Sequence, residues 1–106
     1  MSSQQSIVDY LVEQMADAKN IRSRKMFGEY AIYKDNKVVA LVCDDQLFVK
    51  PTVAGRQVVG EGHDAPPYPG AKPYLLVTGD RCEDGEWLSN LIEVTAKELP
   101  APKKKL

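Results

Sequence analysis

The chain has 106 residues, 43 % of them hydrophobic and 27 % charged, and carries a formal net charge of −1 at pH 7. That length suits one domain, residues 1–106, with one real core, and the ordinary apolar-to-charged balance excludes wholesale disorder and collagen-like repeats. Charge so near zero also argues against a surface built throughout to neutralise phosphates, which shows as a strongly basic domain.

The amino-terminal stretch MSSQQSIVDYLVEQ has no basic region leading into an apolar one, and nowhere do about 18 uncharged apolar residues occur together. No signal peptide or membrane contact is expected. Two cysteines, Cys43 in an apolar run and Cys82 in an acidic loop, resemble neither a disulfide framework nor a zinc ribbon, so the cytoplasm is the expected compartment.

The first segment reads as an amphipathic helix from about Gln4 to Lys19. Ile7, Leu11 and Met15 recur every four residues beside Val8 and Val12, Ser6 or Ser3 supplies the cap, and Glu13, Gln14 and Asp17 take the wet side. After Asn20 the period changes to 2. Met26, Gly28, Tyr30 and Ile32 point one way and Phe27, Glu29, Ala31 and Tyr33 the other, as in a pleated strand.

Asp35-Asn36-Lys37 is a turn signal, and Val38 to Cys43 returns antiparallel with every position apolar. Such a strand belongs where both faces of a sheet are covered. Asp44-Asp45 turns the chain again into Gln46 to Lys50, completing a meander of three strands.

Pro51-Thr52 opens a short helix containing Val53, Ala54, Gln57 and Val58, which ends at Gly60-Glu61-Gly62 although Gly55 costs about 1 kcal/mol inside it. The proline-rich stretch His63 to Pro73 is a loop or irregular edge strand, and Tyr74 to Thr78 a further strand. A last helix, about Cys82 to Leu99, carries Trp87, Leu88, Leu91, Ile92, Thr95 and Leu99 on one stripe, with Asp80, Glu83, Asp84 and Glu86 at its positive end and Pro100 stopping it. Residues 100–106 form a short basic tail.

The expected fold is therefore two-layer α+β: helix, three-stranded antiparallel meander, helix, one or two strands, helix. Two long helices cover one sheet face only. The other face calls for either the short helix or a second copy of the chain, and a homodimer is the expectation.

Chemistry is sparsely marked. A Cys43-His63 nucleophilic pair can be written down, but Cys43 lies among valines, so no catalytic residue is assigned. Asp44-Asp45 lacks further oxygen ligands for a metal, and Gly55, Gly60 and Gly62 match no phosphate loop; no metal and no cofactor are expected. Lys19, Arg22, Arg24 and Lys25 are the candidate contact residues, for an acidic partner or nucleic acid, with Lys103 to Lys105 as a second contact. Preferred over this is the plainer reading that they complement the dipole of the first helix and keep the surface soluble, since base readout needs an inserted helix or ribbon. Phe27, Tyr30 and Tyr33 suit base stacking or, more simply, a core. Pro66-Pro67-Tyr68-Pro69 suits a polyproline ligand or a rigid connector.

Lys25-Met26-Phe27-Gly28, Tyr30, Tyr33, the Asp-Asn turn, Ala40-Leu41 and Leu47-Phe48-Val49-Lys50, followed by Gly70-Ala71-Lys72-Pro73-Tyr74 and the Trp87-Leu88 helix, resemble the N-terminal domain of the TfoX (Sxy) family of bacterial competence regulators. The resemblance covers roughly Arg22 to Leu99. It implies helix, three strands, helix, two strands, helix, similar to small secretion chaperones and often dimeric, with no established catalytic residues. The resemblance links relatives with a second, C-terminal helical domain to positive regulation of DNA-uptake genes; this sequence stops at Leu106, and activity residing in that half is not expected to carry over. A non-enzymatic regulatory or adaptor domain acting by protein contact is expected, the alternative being a weak nucleic-acid-binding module using residues 19–25.

Overall fold

A computed structural model of the chain describes residues 4–26 and 29–100. Among them the elements run α1 (Gln5–Gln14), β1 (Ile21–Met26), β2 (Glu29–Lys34), β3 (Lys37–Cys43), β4 (Gln46–Val49), α2 (Val53–Val59), β5 (Asp64–Ala65), β6 (Tyr74–Val77), α3 (Gly79–Cys82) and α4 (Gly85–Glu98). The strands form one antiparallel sheet in the order β1-β2-β3-β4-β6-β5. The α+β class and the antiparallel meander stand, with one correction. The meander has four strands, because Ile21–Met26 pairs with β2 instead of leading into it.

Both expected turns are present. Asp35, Asn36, Asp44 and Asp45 all have positive φ, between 51° and 68°, which makes each two-residue link a type I′ turn whose twist matches the strands it joins. Aspartate and asparagine tolerate this backbone because their short side chains bond locally. Asp35 accepts from Asn20 Nδ2 at 2.8 Å and Asp45 from the Gln4 amide at 2.8 Å. The Asn20 bond, followed by that from Lys34, holds the Asp35 carboxyl below its ordinary value.

One face of the sheet carries Tyr30 and Ile32, Ala40 and Val42, Leu47 and Val49, Leu75 and Val77 in register across four strands. All eight are buried, against Val8, Leu11 and Met15 from the α1 segment and Leu88, Leu91 and Ile92 of α4. Each fully buried aliphatic side chain here contributes about 1.5–3 kcal/mol. A bulge between Ile32 and Tyr33 leaves Val39 with no opposite residue. It too is buried.

The short helix joins this same layer. Thr52 caps it by accepting from the Gly55 amide at 2.9 Å, Gly60 ends it at φ 91°, and Val59 enters the common core. It therefore does not cover the opposite sheet face, which overturns one of the two covers expected there. Gly55 has a positive reason to be glycine: an added Cβ would meet Thr52 Oγ1 at 2.7 Å and Thr95 Oγ1 at 3.1 Å. The missing side chain lets α2 lie directly on α4.

Helix ends are tied by side chains from other elements. Glu98 accepts from the Val53 and Ala54 amides at 2.8 and 3.0 Å, satisfying donors that the first turn of α2 leaves open. At the other end of α2, Arg81 donates to the Val59 carbonyl at 2.9 Å while lying 4.2 Å from the Trp87 ring centroid. Lys37 donates to the Ala96 carbonyl near the end of α4, and Gln14 Nε2 to the Cys82 carbonyl, each at 2.9 Å. Arg56 and Asp64 form a two-bond pair at 2.6 and 3.0 Å that fixes β5 beside α2.

Two helix boundaries differ from expectation. α1 stops at Gln14 rather than Lys19, and its cap is Gln4 with no side-chain bond, not Ser6; Ser3 lies outside the described residues. α4 starts at Gly85, capped by Asp84 accepting from the Trp87 amide at 3.1 Å, because α3 takes up Cys82 as a separate turn.

Cys82 is a core thiol whose pKa is pushed up to about 11, first by burial and then by the Asp80 carboxylate. A folded-state value above the unfolded one means that the neutral thiol stabilises the fold at lower pH, and that this contribution is lost as pH rises from about 9 towards 11. Chemical denaturation between pH 8 and about 11 should show this loss, and Cys82→Ala should flatten it. In most helices Gly→Ala stabilises by up to about 1 kcal/mol; Gly55→Ala should instead destabilise by about 1–3 kcal/mol in urea denaturation, because the new methyl group overpacks the α2–α4 contact.

Candidate functional site

The pleat of β1 divides the basic cluster. In register, Arg22 lies opposite Tyr33 and Arg24 opposite Ala31, whereas Lys25 lies opposite Tyr30 on the helix-covered side. Alternation therefore puts Arg22, Arg24 and Met26 on one face and Ile21, Ser23 and Lys25 on the other. Lys19 lies before the strand, and its carbonyl accepts from Lys34 Nζ at 2.8 Å. Lys34, buried, is also paired with Asp35 at 3.1 Å.

Arg22 is held in place. Its guanidinium stands 4.9 Å from the Tyr33 ring centroid and Nη2 donates to Asn36 Oδ1 at 3.2 Å. Tyr33 is thus covered by a cation, and Tyr30 is buried on the opposite side with its hydroxyl donating to Gln5 Oε1 at 3.0 Å. Sheet pleating separates the two tyrosines, which leaves no joint stacking platform for them; Phe27 lies outside the described residues.

The sheet face away from the long helices carries Ala31, Leu41, Phe48 and Leu76 in register. Ala31 and Phe48 are buried, Leu41 and Leu76 half-buried. The proline loop partly covers it: Met26, Glu29, Tyr30, Ala31, Leu41, Cys43 and Tyr68 line an apolar cavity of about 500 Å³. Met26 and Tyr68 remain 42 % and 56 % exposed at its rim. Sequence reading missed this concavity because Tyr68 and Met26 are distant in the chain. Only the cover for β3, needed on both faces, pointed towards it.

Reactive groups are spread apart. Cys43 ends β3, while His63 precedes β5, and β4 and β6 run between; three strand spacings make that roughly 14 Å. The Cys43 thiol pKa is raised, chiefly by burial and then by the Glu29 carboxylate, which opposes nucleophilic thiolate formation. Both cysteines are free and buried. Asp44 and Asp45 build their turn, and among the described residues no group of three or more His, Cys, Asp or Glu side chains is placed to hold a metal ion. Among those residues no helix is long and apolar enough to cross a membrane. A wide polar hollow of about 600 Å³ lies beside the start of α4, lined by Asp17, Asp84, Glu86, Trp87 and neighbours. Asp84 there is occupied as the helix cap.

Comparison with known proteins agrees with the residues that carried the resemblance. The chain is 42 % identical over 103 residues to a protein of Spirochaeta aurantia described as an uncharacterized 12.7 kDa protein in the trpE 5' region, covering 97 % of this chain and 89 % of that one. The family profile of the TfoX N-terminal domain matches residues 13–99, from the end of α1 to the residue after α4. The chain belongs to the TfoX N-terminal domain family.

Proposed function

We propose that this chain is a non-enzymatic regulatory or adaptor domain, similar in kind to the N-terminal half of competence regulators, which acts by protein contact and works as a homodimer. The observation that carries this reading is the half-covered apolar sheet face, where Met26 and Tyr68 stand exposed around a cavity floored by Ala31 and Leu41. Apolar surface that the fold leaves open beside polar residues is the mark of a contact site. Separation of Cys43 from His63 across the sheet supports the non-enzymatic part.

A weak nucleic-acid contact through Lys19, Arg22, Arg24 and Lys25 is the alternative. The division of these cations between two faces weighs against it, since phosphate tracking needs them on one surface.

Sedimentation of the purified chain should give a dimer, and Leu41→Glu, which puts a charge into the cavity floor, should give a folded monomer. A wild-type monomer at concentrations up to about 1 mM would remove the pairing from this reading. Retention on random-sequence DNA that falls steeply with salt, and disappears when Arg22, Arg24 and Lys25 become alanine, would replace protein contact with the alternative.

A further inference from the structure

We propose that the outer edge of β1 docks an extended acidic segment of another protein, which joins the sheet as an additional strand. The inference rests on the protein-contact reading but uses the sheet's edge rather than its face, so a monomeric protein would remove the pairing and leave this inference standing.

β1 is the first strand in the sheet order and six residues long, against two for β5 at the other margin. Met26 and Glu29 flank a two-residue link and are opposite one another. Residues flanking such a link exchange both backbone bonds, and the pattern then alternates along the ladder. Arg24 and Arg22 therefore bond β2, while Ile21, Ser23 and Lys25 turn their N–H and C=O groups outward. Among the described residues, none of the backbone bonds outside the ladders reaches that edge. An open row of this kind accepts a strand.

Charge selects the occupant. Residues 19–25, Lys-Asn-Ile-Arg-Ser-Arg-Lys, hold four cations and no acid. A second copy fits badly: outward-turned residues must meet outward-turned residues, so antiparallel pairing of β1 with itself centred on Ser23 sets Arg22 opposite Arg24 twice, and directly opposed like charges destabilise a ladder. An acidic strand meets the same row with the opposite sign. Arg22 is already positioned for this by Tyr33 and Asn36, so little side-chain ordering remains to be done on binding.

Register adds a pattern. Met26 shares its face with Arg22 and Arg24 and lines the apolar cavity. A strand running antiparallel to β1 would place an apolar residue beside Met26 and acids two and four residues later, beside Arg24 and Arg22. The expected partner sequence is apolar-x-acid-x-acid.

The test uses the full chain and a fluorescein-labelled peptide, VTFTETETV, with a counterpart in which lysine replaces both glutamates. The glutamate peptide should saturate in the micromolar range by fluorescence anisotropy, slow amide exchange at Ile21, Ser23 and Lys25, and bind at least about tenfold more weakly to Arg22→Glu/Arg24→Glu. That variant should gain binding of the lysine peptide. Arg22→Gln/Arg24→Gln, checked for folding by circular dichroism, serves if the reversed variant does not fold, and should lose binding of the glutamate peptide without gaining the other. No saturation by about 1 mM, equal binding of both peptides, or protection appearing away from β1 would overturn the inference. So would exchange protection at β1 that rises with protein concentration alone, which marks self-pairing, or displacement of the peptide by a random-sequence oligonucleotide at far lower concentration, which marks a phosphate site.

Discussion

A sheet of six strands has two faces, and every long helix of this chain lies on the same one. That asymmetry governs the rest of the structure. On the covered side, four strands present paired aliphatic side chains to α1 and α4, and the sheet gains the apolar burial that offsets the ordering of its backbone. On the far side, Ala31, Leu41, Phe48 and Leu76 stand in register, and Tyr68 of the proline-rich loop lines a cavity with the first two of them. The functional reading follows from this inequality, because among the described residues no helix lies on the far face.

The helical layer is compact because its contacts are made at helix ends as well as along helix flanks. Gly55 brings α2 against Thr95, whose buried hydroxyl has no hydrogen-bond partner among the described residues. Leaving such a group unpaired costs about 1–3 kcal/mol. Glu98, Arg81 and Lys37 act in the opposite direction, since each supplies a charged partner to backbone groups that a helix terminus cannot satisfy internally.

Where one face of an element is buried, the sequence was readable. Tyr30 to Cys43 and Leu47 to Val49 alternate, or stay apolar throughout, and the Asp-Asn and Asp-Asp pairs sit where type I′ turns need them. β1 was missed for the same physical reason that makes it interesting. Ile21-Arg22-Ser23-Arg24-Lys25-Met26 is an edge strand exposed over most of its length, so no hydrophobic period marks it, and the strand pattern was extended instead through Met26 from β2. α1 was read too long because Met15 and Ala18 are buried although the helix has already ended before them; a turn at that point keeps apolar residues facing the core. The far-face cavity depends on Tyr68 meeting Met26 and Leu41 across a long separation, which local periodicity does not encode. The four cations were visible as a group, but their division between two faces required β1 to be recognised as a strand.

The sheet order also bears on how the molecule is made. β1 to β4 are consecutive, each joined to the next by a link of two residues, while β6 arrives from beyond α2 to settle between β4 and β5. A nascent chain released by the ribosome as far as Lys50 thus already contains four of the six strands, but only α1 to lie on them. Its Ile32, Val42, Leu47 and Val49 stay without α4 until the last quarter of the chain has been translated. During that interval the unfinished protein is a candidate for chaperone capture, and the charged margin of β1 is its own safeguard against clumping.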